Sequence, residues 1–148
     1  MIAIACDHAG YNLKLTMTRL LSDRRIEFTD MGCHSLDPVD YPVYAEKVAR
    51  AVADGTCELG ILCCGSGVGM SMAANKVHGI RAVCCSESYS ARMSREHNDA
   101  NVLCIGERVV GPGVAADILD AFLNGKFIGE RQIPRVAMIM ALEKNEGK

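Results

Sequence analysis

Apolar and polar positions alternate along this chain in two rhythms. Short apolar-rich runs recur at Ile2 to Cys6, Ile26 to Asp30, Leu59 to Cys63, Ile80 to Cys84 and Val102 to Ile105. They have the length and character of buried strands. Between them the apolar residues fall at helical spacing. Leu13, Met17, Leu20 and Leu21 stand at i, i+4, i+7 and i+8, one face of an amphipathic helix. Ala45, Val48, Ala49 and Val52 repeat that pattern in a helix that Pro42 can enter at its first turn and that Asp54-Gly55 closes. Further helices are predicted from Met70 to Lys76, from Ser88 to Glu96, from Pro112 to Leu123, and from about Pro134 past Leu142. Strands alternating with helices predict a parallel sheet covered on both faces. The expected fold class is α/β: a three-layer αβα sandwich built on a Rossmann- or flavodoxin-like five-stranded parallel sheet.

Composition narrows this picture. A chain of 148 residues is one domain by length, residues 1–148. With 49 % apolar residues it can offset its ordering entropy, which excludes disorder. Sixteen Lys and Arg against eighteen Asp and Glu leave no basic excess for a nucleic-acid partner. No apolar run has the length to span a bilayer. The start, Met1-Ile2-Ala3-Ile4-Ala5-Cys6, lacks the basic and hydrophobic regions of a signal peptide, so a cytoplasmic location is expected. Eight cysteines form no CxxC and no paired Cys/His spacing, which argues against zinc. Most lie inside apolar runs and read as small buried hydrophobes in a reducing compartment.

Ligands of open parallel sheets bind beyond the carboxyl ends of the strands. The residues that follow the predicted strands are Asp7-His8-Ala9-Gly10, Cys64 with the loop Gly65-Ser66-Gly67-Val68-Gly69, Ser86-Glu87, and Gly106-Glu107-Arg108. The loop has two readings: an anion site made of backbone N–H groups, or a tight strand-to-helix turn. It is neither a dinucleotide fingerprint nor a Walker A loop, since Met70 and Ser71 break both patterns. Cys64 precedes the loop, where a helix N-terminus favours thiolate; the other reading is one more buried cysteine. His97 ends a predicted helix and suits a general acid, or a surface helix terminator. Arg131 and Arg135 share a helical face that can grip a phosphate, or form a solvated basic edge.

Together these residues resemble the ribose-5-phosphate isomerase B family, within the wider group that includes galactose-6-phosphate isomerase. The likeness runs along almost the whole chain. It rests on Cys6-Asp7-His8-Ala9-Gly10-Tyr11, Asp40-Tyr41-Pro42, Cys64 to Gly69, Ala73-Ala74-Asn75-Lys76, Gly79-Ile80-Arg81-Ala82, Ser94 to Asn101, and Arg108-Val109-Val110-Gly111. The resemblance implies an aldose–ketose isomerase of sugar phosphates that needs no metal and no organic cofactor. It puts the proton-transferring base on Cys64 and the ring-opening acid on His97. It makes Asp7, His8, Tyr41 and Asn98 substrate-binding. The loop Gly65, Ser66, Gly67, Val68 and Gly69 would donate N–H groups to the developing enediolate, and the phosphate would lie among His8, Arg108, Arg131 and Arg135. It also implies a homodimer, or a tetramer, with active sites shared between subunits and the helix from about 134 packed on a partner.

One departure concerns the C-terminal motif Gly-Gly-Arg-His-x-x-Arg-Val. Here the segment is Gly129-Glu130-Arg131-Gln132-Ile133-Pro134-Arg135-Val136, with Gln132 for His and a proline that restricts Ile133. Two alternatives stand beside the five-carbon isomerase. One is an isomerase of six-carbon aldose phosphates (allose or galactose 6-phosphate). The other is a flavodoxin-like nucleotide or redox module.

Overall fold

The computed structural model describes residues 1–145. Each apolar run becomes a strand: β1 Ile2–Cys6, β2 Phe28–Asp30, β3 Leu59–Cys64, β4 Ala82–Cys84 and β5 Val102–Gly106. The helices are α1 Tyr11–Asp23, α2 Tyr41–Ala53, α3 Val68–Ala74, α4 Ser88–Asn98, α5 Pro112–Asn124 and α6 Ile133–Asn145. Single 3-10 turns at His8–Gly10 and Glu130–Gln132 lead into α1 and α6.

The strands pair in the order β2-β1-β3-β5-β4, all parallel. A flavodoxin sheet runs 2-1-3-4-5; here the last two strands are exchanged and β4 lies at an edge. The central strands β1, β3 and β5 are buried along their whole length, which is why they read as continuous apolar runs. Their side chains alternate between two cores. On one face Ile4, Ile61, Leu103 and Ile105 meet Leu13 and Met17 of α1, Ala91 of α4, and Ile118 and Phe122 of α5. On the other, Ala3, Leu62, Val102 and Cys104 meet Ala45, Val48 and Ala49 of α2 and Met70 of α3. The expected three-layer sandwich is therefore the observed one.

The edge strands are shorter than the apolar runs predict. Arg25 takes φ 56° after α1 and the N–H of Ile26 still bonds Leu21 O, so β2 starts only at Phe28. Gly79 turns the chain at φ +88° and Ile80 N–H bonds Val77 O, which delays β4 to Ala82. Conversely α3 starts at Val68, ahead of Met70, because Gly67 adopts φ 81° as its N-cap and releases the chain into the helix.

Charged side chains hold the layers in register. Lys14 is 1 % exposed, and its Nζ lies 2.8 Å from Asp30 Oδ1 and 2.5 Å from the carbonyl of Cys33. A buried ammonium needs such partners. Arg24 grips Asp120 with two bonds of 2.6 Å. That pairing ties α1 to α5 and holds the Asp120 carboxyl below its usual range.

The last helix crosses the amino edge of the sheet. The carboxylate of Glu143 accepts the Gly79 N–H at 3.0 and 3.1 Å, and the Arg81 guanidinium meets Met140 Sδ at 3.2 Å. Ile133, Met138, Ile139 and Leu142 of α6 remain exposed. Pro134 sits in its first turn, where a missing N–H breaks no helical bond. Ile133 is accordingly helical (φ −52°, ψ −54°), despite the extended bias a following proline brings. Among the described residues no helix is long and apolar enough to cross a membrane.

Candidate active site

Strand connections run in opposite directions from β1 and β3: β1 leads outward to β2, and β3 leads across to β4. A crevice opens at such a switch point, beyond the carboxyl ends of the strands. It has a volume of about 530 Å3, and Asp7, His8, Ala9, Tyr41, Cys64, Gly65, Ser66, Val68, Gly69, Arg108 and Val109 line it. That size suits a small metabolite.

Backbone packing builds this crevice. Asp7 caps the 3-10 turn, its Oδ1 accepting the N–H groups of Ala9 and Gly10 at 2.9 and 3.0 Å. Gly10 presses on β3 so closely that a Cβ there would lie 2.3 Å from the Cys63 carbonyl carbon. His8 takes the Val39 N–H on its Nδ1 at 3.1 Å. Tyr41, 40 % exposed, lays its ring over Gly69, where a Cβ would come within 2.9 Å. After β5, Glu107 N–H and Arg108 N–H bond the carbonyls of Cys64 and Gly65 at 2.8 and 3.0 Å, fastening the two strand ends together. The carboxylate of Glu107 accepts from Leu13 N–H and Asn12. The Arg108 side chain remains exposed in the crevice, near Gly65.

Cys64 ends β3, and its sulfur receives the Gly67 N–H at 3.0 Å. An N–H directed at sulfur is the kind of partner a thiolate needs. Gly67 does make a tight turn, packed between Ile105 and Cys84 Sγ. The start of α3 also leaves the N–H groups of Gly69 and Met70 without helical acceptors. The other thiols fit the buried reading except Cys84, which is exposed. Burial pushes Cys63 and Cys104 well above the ordinary thiol range and Cys6 and Cys85 to about 12. Among the described residues no three His, Cys, Asp or Glu side chains gather as metal ligands.

The remaining expected site residues lie elsewhere. A helix that follows a parallel strand runs back to the amino edge of the sheet, and α4 does so. His97 and Asn98 end it beside Asn101, whose carbonyl bonds Gly60 N–H at the start of β3. Five-residue β5 separates that edge from the Cys64 end by roughly 13 Å. Arg131 and Arg135 join the same edge, because Ile128 N–H bonds Glu96 O just before their turn. Buried Gln132 accepts from Arg135 Nη1 at 3.4 Å. One chain thus carries Asp7, His8, Tyr41, Cys64, the loop and Arg108 at one end of the sheet, and His97, Asn98, Arg131 and Arg135 at the other. Glu87 is also outside the crevice. It caps α4 through Ser90 N–H, since β4 sits at the sheet edge. Ala9 and Val109, named in the sequence only as motif members without a role, also line the crevice; their places beside His8 and Arg108 were the available signal.

Fold and crevice define a doubly wound α/β protein with a thiol-bearing polar cleft at its topological switch point. The chain belongs to the ribose/galactose isomerase family, whose model matches residues 2–139. It is 52 % identical over 143 residues to ribose-5-phosphate isomerase B of Escherichia coli (strain K12), covering 97 % of this chain and 96 % of that one. It is 42 % identical over 149 residues to D-erythrulose-4-phosphate isomerase of Pectobacterium atrosepticum, covering 98 % and 96 %. A solved structure of ribose-5-phosphate isomerase B from Clostridium thermocellum superposes with a TM-score of 0.97 at 52 % identity, over 99 % of both chains.

Proposed function

We propose that this chain is an aldose–ketose isomerase that interconverts D-ribose 5-phosphate and D-ribulose 5-phosphate through an enediolate, as a step of the non-oxidative pentose phosphate route. The observation that carries this reading is the convergence at one cleft of the Cys64 sulfur, the open N–H groups that begin α3, and the cationic Arg108. As thiolate, Cys64 removes the proton on C2 of the open-chain aldose. The negative charge passes to the C1 oxygen, where the Gly69 N–H on the cleft wall can meet it. A proton then passes from the C2 hydroxyl to the C1 oxygen, which moves the charge to the C2 oxygen, and the thiol returns its proton to C1, giving the ketose. Arg108 and His8 hold the phosphate, and Asp7 and Tyr41 position the sugar. Ser66 keeps a hydroxyl at the loop; its Oγ accepts Val68 N–H at 3.2 Å.

The working unit we infer is a homodimer in which each cleft is completed by His97, Asn98, Arg131 and Arg135 of a second copy. The separation of these two sets across the sheet supports it, as does the exposed apolar face of α6. A second copy would also exclude water from the enediolate. A cytoplasmic setting fits the free thiols of all eight cysteines.

Turnover of ribose 5-phosphate, compared with six-carbon aldose phosphates, tests the substrate. The five-carbon sugar is expected to have the higher kcat/KM. Preference for allose or galactose 6-phosphate would shift the reading to the alternative, and no turnover of any would reject the class. Mixing inactive Cys64→Ala with inactive His97→Ala under subunit exchange tests the shared site. One intact cleft per mixed dimer should restore activity. Demonstrated exchange with no recovery would place both residues in one chain's own site.

A further inference from the structure

Residues 31–40, between β2 and α2, place no side chain on the cleft wall, yet they touch its chemistry at one point. Val39 N–H donates to His8 Nδ1 at 3.1 Å. The amide is held firmly. Val39 packs its partly buried side chain against the α1-side core. Farther back, Cys33 N–H bonds Cys6 O at 2.9 Å, and buried Lys14 holds the Cys33 carbonyl.

We infer that Val39 is a positioning residue: its backbone amide locks neutral His8 in the Nε2–H tautomer and so presents a fixed donor to the substrate. A backbone N–H can only donate, so the nitrogen it meets must accept. The proton of the neutral ring then resides on Nε2, on the opposite side of the ring from the loop. What that donor meets rests on the isomerase reading: a phosphoryl or hydroxyl oxygen of the sugar phosphate, both acceptors. The lock also divides the labour in the cleft. Nε2 bearing a proton cannot take one from carbon, so His8 binds and orients while Cys64 carries the proton.

Two measurements test this. The first uses substrate-free wild-type protein labelled with 15N, with the His8 ring signals identified by their loss in His8→Gln. Long-range 1H–15N spectra at a pH where His8 is neutral should show Nδ1 bare and Nε2 protonated. A 15N–15N coupling across the hydrogen bond should link Nδ1 to the Val39 amide. An Nδ1–H tautomer, an exchanging mixture, or the absence of that coupling overturns the proposal. The second compares two substitutions. His8→Gln can bring an amide N–H close to the Nε2 position. His8→Asn keeps an acceptor for Val39 but extends no donor into the cleft. The Gln variant should exceed the Asn variant in kcat/KM by roughly tenfold, mostly through KM. Equal values, or an advantage for Asn, overturn it. The spectra need no substrate, so a wild-type protein inactive on every sugar phosphate would reject the isomerase reading while leaving the tautomer result to stand or fall separately.

Discussion

Cys63 and Cys64 are chain neighbours with opposite surroundings. Alternation along β3 sends Cys63 into the core beneath α1, where burial raises its thiol well above the ordinary range. Cys64 is turned to the other face and ends the strand, so its sulfur reaches the cleft and the Gly67 N–H. Replacing it isolates the proposed base. Cys64→Ala is expected to lower kcat by roughly 10²- to 10⁴-fold, with sugar-phosphate affinity by calorimetry and thermal midpoint close to wild type. Wild-type kcat would move the role elsewhere, first to Ser66. The position of Cys64 was legible in the chain because a strand's end can be read from where its apolar run stops. Glu87 was not assignable by the same rule. Whether a strand end faces the cleft depends on its place in the sheet, and nothing local in Ala82-Val83-Cys84 announces an edge.

Elements dock here through missing side chains. The 3-10 turn at His8–Gly10 rests on β3 only because Gly10 has no Cβ; one would lie 2.3 Å from Cys63 C and 2.5 Å from Cys64 N. Both are backbone atoms of a central strand and cannot yield cheaply. Gly10→Ala is expected to lower stability by about 1–3 kcal/mol or more and to reduce kcat as well, because the displaced backbone carries Cys64. Gly113→Ala in α5 is the control. Nothing lies within 4 Å of its added Cβ, and helix propensity should leave the urea midpoint unchanged or raised. A Gly10→Ala midpoint equal to wild type would show that the turn has slack. Helices and strands were readable from hydrophobic period together with the Pro and Gly signals at their ends. The exchange of β4 and β5 was not, because strand order is set by how α3 and α4 pack on the two faces rather than by any one segment. The shortness of β2 and β4 also escaped, since it follows from the positive φ at Arg25 and Gly79.

At the scale of the molecule, the buried thiols set an alkaline limit. Cys6 and Cys85 ionise at about 12 in the fold, and Cys63 and Cys104 are raised as well, against about 8.5 in an unfolded chain. The folded state then keeps protons that the unfolded state releases. Their contribution is whole below about pH 8.5 and is lost progressively as pH rises toward 12. The urea midpoint should fall steadily across that window, and a flat profile would contradict the burial of these groups. The division of the proposed site across the sheet reaches into genetics. A chain bearing both Cys64→Ala and His97→Ala would leave no intact cleft in a mixed dimer with a normal chain, since each cleft would draw one lesion from the altered copy. The same two lesions carried on separate chains leave one cleft whole. Linked on one allele they should act as a dominant poison, whereas on opposite alleles they should be recessive and complement.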